Sequence, residues 1–302
     1  MKEYYPEGMN NICRQELTPA ALAAAQANET VLEAVVKLCD AQHNLTVDLG
    51  CMAGIIPREE GAIGITEGTT RDIALISRVG RPVCFVVTEI KLDASGKPYA
   101  VLSRRKAQEL CKKRMLNRSH IGDVLDARVT HLESFGAFCD IGCGIIALLP
   151  IDAISVSRIS HPRDRFKPGD DIRVILKDIA TDGKITLSHK ELLGTWEENA
   201  TAFAPGQTVS GVIRSIEEYG VFVELAPNLA GLAEPRNDVF IGQQASVYIK
   251  SILPEKMKIK LIIIDGFNSL YTPPIKYFYT EDHIYEWDYS PQLCRKKICS
   301  NF

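Results

Sequence analysis

The stretch Ile121-Gly122-Asp123-Val124 through Ser134-Phe135-Gly136-Ala137-Phe138 to Leu187-Ser188-His189-Lys190 decides the fold. A valine-rich run, Val124 to His131, is followed by a turn closed by Gly136. The run Ala137 to Ile141 ends at Gly142-Cys143-Gly144, and Ile145 to Leu149 follows. A polar, basic segment from Ser155 to Lys167 leads to Pro168-Gly169. Two further alternating runs, Asp171 to Asp178 and Lys184 to Ser188, are joined by Thr181-Asp182-Gly183. Short apolar runs at this spacing, each bounded by turn residues, predict five strands and a small closed barrel.

A five-stranded barrel with an irregular connection after its third strand is the OB-fold plan. Gly122-Asp123-Val124, Phe135-Gly136-Ala137-Phe138, Pro168-Gly169-Asp170, Gly183-Lys184-Ile185 and Leu187-Ser188-His189-Lys190 together resemble the S1-type RNA-binding domain. The resemblance covers the whole stretch in order. Two family positions differ: a histidine common after strand three is replaced by Pro150, and an aspartate before the last turn by Ala180.

Working outward, the chain reads as mainly β, with tandem five-stranded OB-fold barrels of S1 type joined by short helices. Residues 1–27 form a helical lead-in, because Thr18-Pro19 starts a helix and the alanines that follow propagate it. Residues 28–103 read as a degenerate barrel in which His43-Asn44-Leu45-Thr46 stands where the aromatic motif would be. A barrel without those rings is expected to be structural or protein-facing. Residues 104–118 read as a basic, solvated helical linker with Leu110, Met115 and Leu116 as its apolar stripe. Residues 119–190 are the complete barrel, and 191–204 a second helical linker with Leu192, Leu193 and Trp196 on one side. Residues 205–264 repeat the pattern as Gly206-Gln207-Thr208-Val209, Tyr219-Gly220-Val221-Phe222 and Lys258-Ile259-Lys260-Leu261. This copy has a shorter connection after strand three, and Glu234 and Leu253 stand at the two divergent positions. Residues 265–302 form an extension rich in aromatics, among them Tyr271, Tyr277, Tyr279, Trp287 and Tyr289. It is too aromatic for a disordered tail and is expected to pack on a barrel or pair as a hairpin.

The chain has 302 residues and a net charge of -3, so any nucleic-acid surface must be local or rely on stacking. Nine cysteines without a CxxC pair, and six histidines clustered near none of them, argue against zinc and for free thiols in a reducing cytoplasm. The start, Met1-Lys2-Glu3-Tyr4-Tyr5, has no signal-peptide segment, and no apolar run reaches membrane-spanning length. No phosphate-binding loop, metalloprotease motif or nucleophile elbow is present, so no catalytic residue, cofactor or metal is expected.

On an OB barrel, oligonucleotides bind the face of strands two and three and the adjoining loops. Phe138 and Asp140 are expected to share one face of strand two, with Phe135 in the loop before it. Rings placed there could stack on bases whatever the sequence. The basic connection contributes His161, Arg163 and Arg165, and Lys190 follows strand five. The resemblance implies RNA contacts for Phe135, Phe138 and Lys184, and in the third copy for Tyr219, Phe222 and Lys258. The expected function is non-enzymatic binding of single-stranded RNA in translation or RNA metabolism. The tandem plan is similar to that of bacterial ribosomal protein S1, with fewer repeats, and the ribosome or other RNA-processing proteins are expected partners. A protein scaffold on the ribosome or RNA polymerase, and an accessory subunit of an RNase, are the alternatives.

Overall fold

The structure, a computed structural model, describes residues 4–9, 17–268 and 272–302. Met1, Lys2, Glu3 and Tyr271, invoked above, lie outside the described residues. The chain forms two compact units: Met1–Ser119 with Asp126–Arg128 and Asp140–Ile146, and His120–Leu125 with Val129–Cys139 and Ala147–Phe302.

In the first unit, α1 (Pro19–Ala27) starts at Thr18, whose side chain accepts the Ala21 N–H. Leu22 on α1 is fully buried against a barrel of β1 (Leu32–Cys39), β2 (Leu45–Asp48), β3 (Ala53–Ile56), β4 (Pro82–Leu92) and β5 (Pro98–Ser103). The barrel closes in the order β1-β2-β3-β5-β4, with β3 and β5 parallel. A single-turn helix, α2 (Ile73–Ile76), adds Leu75 to its core. At the β1–β2 turn, Asp40 Oδ1 accepts the N–H groups of Gln42 and Asn44, so a carboxylate fastens the turn that rings occupy elsewhere.

Helix α3 (Arg104–Arg118) corrects the expected solvated linker. Its buried stripe is Arg104, Ala107, Gln108, Cys111 and Met115, while Leu116 is exposed. Arg104 can be interior because Glu7 meets its guanidinium with two bonds, Nε–Oε1 2.7 Å and Nη2–Oε2 2.9 Å. A charge-assisted bidentate pair offsets the desolvation that would otherwise expel the charge. Arg104 therefore offers no charge to solvent.

The middle barrel comprises β6 (Val124–Glu133), β7 (Gly136–Asp140), β8 (Ile146–Pro150), β9 (Asp171–Ile179) and β10 (Ile185–Ser188), closed as β10-β8-β7-β6-β9. After α4 (Trp196–Ala200), the third barrel repeats the order β11-β12-β13-β15-β14. Its strands are β11 (Thr208–Glu217), β12 (Gly220–Ala226), β13 (Leu229–Ala233), β14 (Gln244–Leu253) and β15 (Lys258–Phe267). Within the second unit one continuous core runs from Val124 and Ile175 through Leu192 and Trp196 to Val221, Val247 and Ile259. The extension does both things expected of it. Ile284, Trp287 and Tyr289 join that core, and β16 (Glu286–Asp288) pairs antiparallel with β17 (Cys299–Asn301).

The glycine of the aromatic motif has a steric cause. A Cβ on Gly136 would lie 2.5 Å from the Leu149 carbonyl oxygen, and one on Gly220 would lie 2.4 Å from that of Ala233. In both barrels the neighbouring strand's backbone occupies the space a side chain would need. Gly136→Ala must push two strands apart, with an expected loss of about 2–3 kcal/mol in urea unfolding. An unchanged midpoint would show that the hairpin yields.

Candidate nucleic-acid interface

Strand alternation builds the surface. On β7, Ala137 and Cys139 point into the barrel and are fully buried, which turns Phe138 to the other face. Phe135, in the β6–β7 turn, is 54% exposed. The two rings meet edge to face, with centroids 5.9 Å apart and planes at 89°. His131 stacks over Phe138 at 6.4 Å, so one ring of the pair is held and the other stands in solvent. The third barrel repeats the device. Val221 and Val223 are buried, Phe222 faces outward, and Tyr219 is 66% exposed. Their centroids lie 6.1 Å apart at 88°.

The predicted cations divide into several groups. Lys184 is 85% exposed at the β9–β10 turn, where its ammonium lies 2.6 Å from Asp182. Hydrogen bonding to Asp182 raises the Lys184 pKa, so a phosphate must displace a carboxylate from it. Lys190 donates to the Asp152 carbonyl at 3.3 Å, in the turn whose Ile151 N–H donates to the Phe135 carbonyl. Lys190 is thus tied to the turn that holds the backbone of Phe135. His161 and Arg163 close on each other: His161 Nδ1 accepts the Arg163 N–H at 3.1 Å, capping the turn Pro162–Asp164. Together they cap a local turn.

Arg165 is a correction to the expected basic surface. Its side chain is fully buried and makes a two-bond ion pair with Glu224 on β12, Nη1–Oε2 being 3.1 Å and Nη2–Oε1 the second contact. Arg214 adds a bond to the same carboxylate at 2.5 Å. A guanidinium sealed in this way has no face to offer a phosphate. Asp140 also leaves the outward face. It is 2% exposed and accepts the N–H groups of Gly142 and Gly144 at 2.8 and 3.0 Å.

Lys258 is exposed at the start of β15, paired with Leu253. The register shows a second lysine missed in the sequence. Phe222 pairs with Leu232, and Leu232 with Lys260, so Lys260 lies on the ring's own row. Counting in twos from Lys258 would have found it. In the middle barrel the corresponding row runs from Leu148 to Thr186 and carries no cation.

Residues 119–190 match the family described as S1 RNA binding domain. The middle barrel is an S1 domain. Relatives extend the likeness beyond that barrel. A small ribosomal subunit protein bS1 homolog from Bacillus subtilis (strain 168) is 31% identical over 244 residues, 78% of this chain and 59% of the relative. Small ribosomal subunit protein bS1 from Staphylococcus aureus (strain COL) is 32% identical over 253 residues, 78% of this chain and 62% of the relative. The chain thus spans about three fifths of the length of these relatives. Among solved structures, a multidomain protein with nucleic acid binding domains from Streptococcus pneumoniae aligns over 78% of this chain and 73% of its own, at 14% identity and TM-score 0.25. Among the described residues, no cluster of three or more His, Cys, Asp or Glu could hold a metal ion, and no helix is long and apolar enough to cross a membrane.

The S1 motif ends in Leu187-Ser188-His189-Lys190, and its variable position has a definite role here. His189 is fully buried, with Nδ1 2.8 Å from the Ile154 carbonyl and Nε2 3.3 Å from the Tyr277 hydroxyl. Burial holds its pKa down to about 4, and the Arg165 charge acts in the same direction. Well above pH 6.5 the imidazole is neutral whether the chain is folded or not. As the pH falls toward 4 the unfolded chain takes up a proton that the folded chain refuses. The second unit should therefore lose about 3 kcal/mol between pH 6.5 and 4, and nothing more from this group below that. Calorimetry at pH 7, 5.5 and 4 checks it, because His189→Gln should flatten the dependence. Equal slopes for the two proteins would contradict it.

Proposed function

We propose that the chain binds single-stranded RNA without catalysis, stacking bases on Phe135 and Phe138 in the middle barrel and on Tyr219 and Phe222 in the third. The observation that carries this reading is the repeated pair: two edge-to-face ring pairs, 5.9 and 6.1 Å apart, each with one member largely in solvent. Stacking of a base on such a ring contributes roughly 1–3 kcal/mol and tolerates any base. Lys184, Lys190, Lys258 and Lys260 are the cations proposed to meet phosphates. His161 and Arg163 stand further out in the proposal, as a basic cap that the strand could brush. The S1 domain at residues 119–190 and the ribosomal relatives support a setting in translation, with the ribosome as a partner and the cytoplasm as the location.

Fluorescence anisotropy with a random single-stranded RNA tests the reading. About four phosphates neutralised, one for each of these lysines, give a log–log salt slope of magnitude near 3. Binding that ignores salt, or that favours duplex over single strand, would overturn it.

One observation favours a second reading. On the outward face of β14 and β15, Tyr248 lies opposite Ile262, with Ile264 beside them, and all three are exposed. An apolar strip of this kind suits a protein partner. If the RNA titration fails at low salt while Ile262→Lys abolishes co-sedimentation with purified ribosomes, the scaffold reading replaces the first.

A further inference from the structure

An open cavity of about 340 Å³ lies wholly within the second unit, between the end of α4, strands β11 and β12, and the segment Pro273–Phe278. We propose that it binds a small amphipathic anion: a flat apolar ring system carrying a single acid group.

The walls set the body of the ligand. The rings of Phe203 and Phe278 face the cavity together with Pro273, Val209 and Leu225. A volume at the small end of the range for ligand pockets fits one or two fused rings rather than a folded peptide or a run of nucleotides. The wall contributed by the extension is fixed, because the Phe278 N–H donates to the Leu192 carbonyl at 3.0 Å. The cavity is therefore a built feature of this unit.

The polar groups set the charge. The Lys276 ammonium sits 4.4 Å from the centre of the Phe278 ring, a cation–π contact that holds it at the cavity. Among the described residues no carboxylate pairs with it. A lone cation beside an apolar chamber selects a ligand with one negative charge. Asn199, on the same wall, spends both amide hydrogens on the Leu193 and Thr195 carbonyls, at 2.8 and 2.9 Å. Its oxygen is left as an acceptor, and the exposed Ser210 hydroxyl completes a short polar rim. A single cation is a poor match for a polyphosphate or an RNA backbone, which would need several.

The test uses the full chain and two fluorescent probes. 8-Anilinonaphthalene-1-sulfonate carries the ring and the acid, and N-phenyl-1-naphthylamine carries the ring alone. Wild type should bind both saturably at one site. Ala202→Trp, which fills the cavity from its exposed rim, should abolish both without lowering the melting temperature. Should that variant melt lower, Ser210→Phe fills the cavity from the opposite wall and takes its place. Lys276→Gln should weaken the sulfonate about fivefold and leave the neutral probe within about twofold. Absence of saturable binding, survival of binding in a stable filled variant, or equal loss of both probes in Lys276→Gln would overturn the proposal. Displacement of the sulfonate by a decauridine RNA would overturn it too, and would assign the cavity to the RNA path instead.

Discussion

Glu224→Ala should cost the second unit about 3–5 kcal/mol, the usual penalty for removing one partner of a buried ion pair. Glu224 and the Arg165 side chain are fully buried, and Arg214 is nearly so. Without the carboxylate, two guanidinium groups remain in the interior, with Asp164 near Arg214 at 3.5 Å as the remaining acid among the described residues' ion pairs. The fall in melting temperature should be about 10 °C for a unit of this size. The combined variant Arg165→Met, Glu224→Leu, Arg214→Met removes all three charges and should recover most of the loss, because apolar replacement of a buried ionic cluster is often neutral. A second readout separates structure from function. If Arg165 is a structural group, the combined variant keeps its RNA affinity. Calorimetry and anisotropy on the same samples decide both points. A melting temperature unchanged in Glu224→Ala would mean that the cluster is open to water in solution.

The second large effect belongs to the exposed rings. Phe135→Ala and Tyr219→Ala each delete a side chain that is more than half in solvent, so each should alter stability by less than about 0.5 kcal/mol. Each should nevertheless weaken single-stranded RNA by about fivefold to a hundredfold, the equivalent of one lost base stack. Phe138→Ala is a less clean test than its sequence suggests. Phe138 is packed by His131 and Phe135, so its removal disturbs the hairpin as well as the surface. Anisotropy for affinity and thermal melting for integrity, measured side by side, separate the two contributions. Unchanged affinity in both exposed-ring variants would remove the rings from the interface.

These two predictions mark the boundary of what the sequence discloses. The barrels were legible because strand alternation is local: Ala137, Phe138 and Cys139 declare their faces within three residues. The turn glycines were legible for the same reason, although the carbonyl that requires them at Leu149 was not. Arg165 was misread because its partner, Glu224, lies 59 residues away and no local pattern announces a paired arginine. Helix α3 failed similarly. Its buried stripe includes Arg104 and Gln108, which an apolar count passes over, and both are admitted by distant partners, Glu7 and the Ile63 N–H. The extension showed its aromatic content but no destination, since Trp287 and Tyr289 join a core assembled from residues over 160 positions earlier, at Val124. Lys260 was legible and was passed over.

Photo-crosslinking of a 4-thiouridine single-stranded RNA, with the modified peptides located by mass spectrometry, shows which residues the strand touches. Adducts are expected on the peptides that carry Phe135–Phe138 and Tyr219–Phe222, lost respectively in Phe135→Ala and Tyr219→Ala. Adducts confined to residues 104–118 or to the extension, with the ring peptides unmodified, would contradict base stacking on these rings.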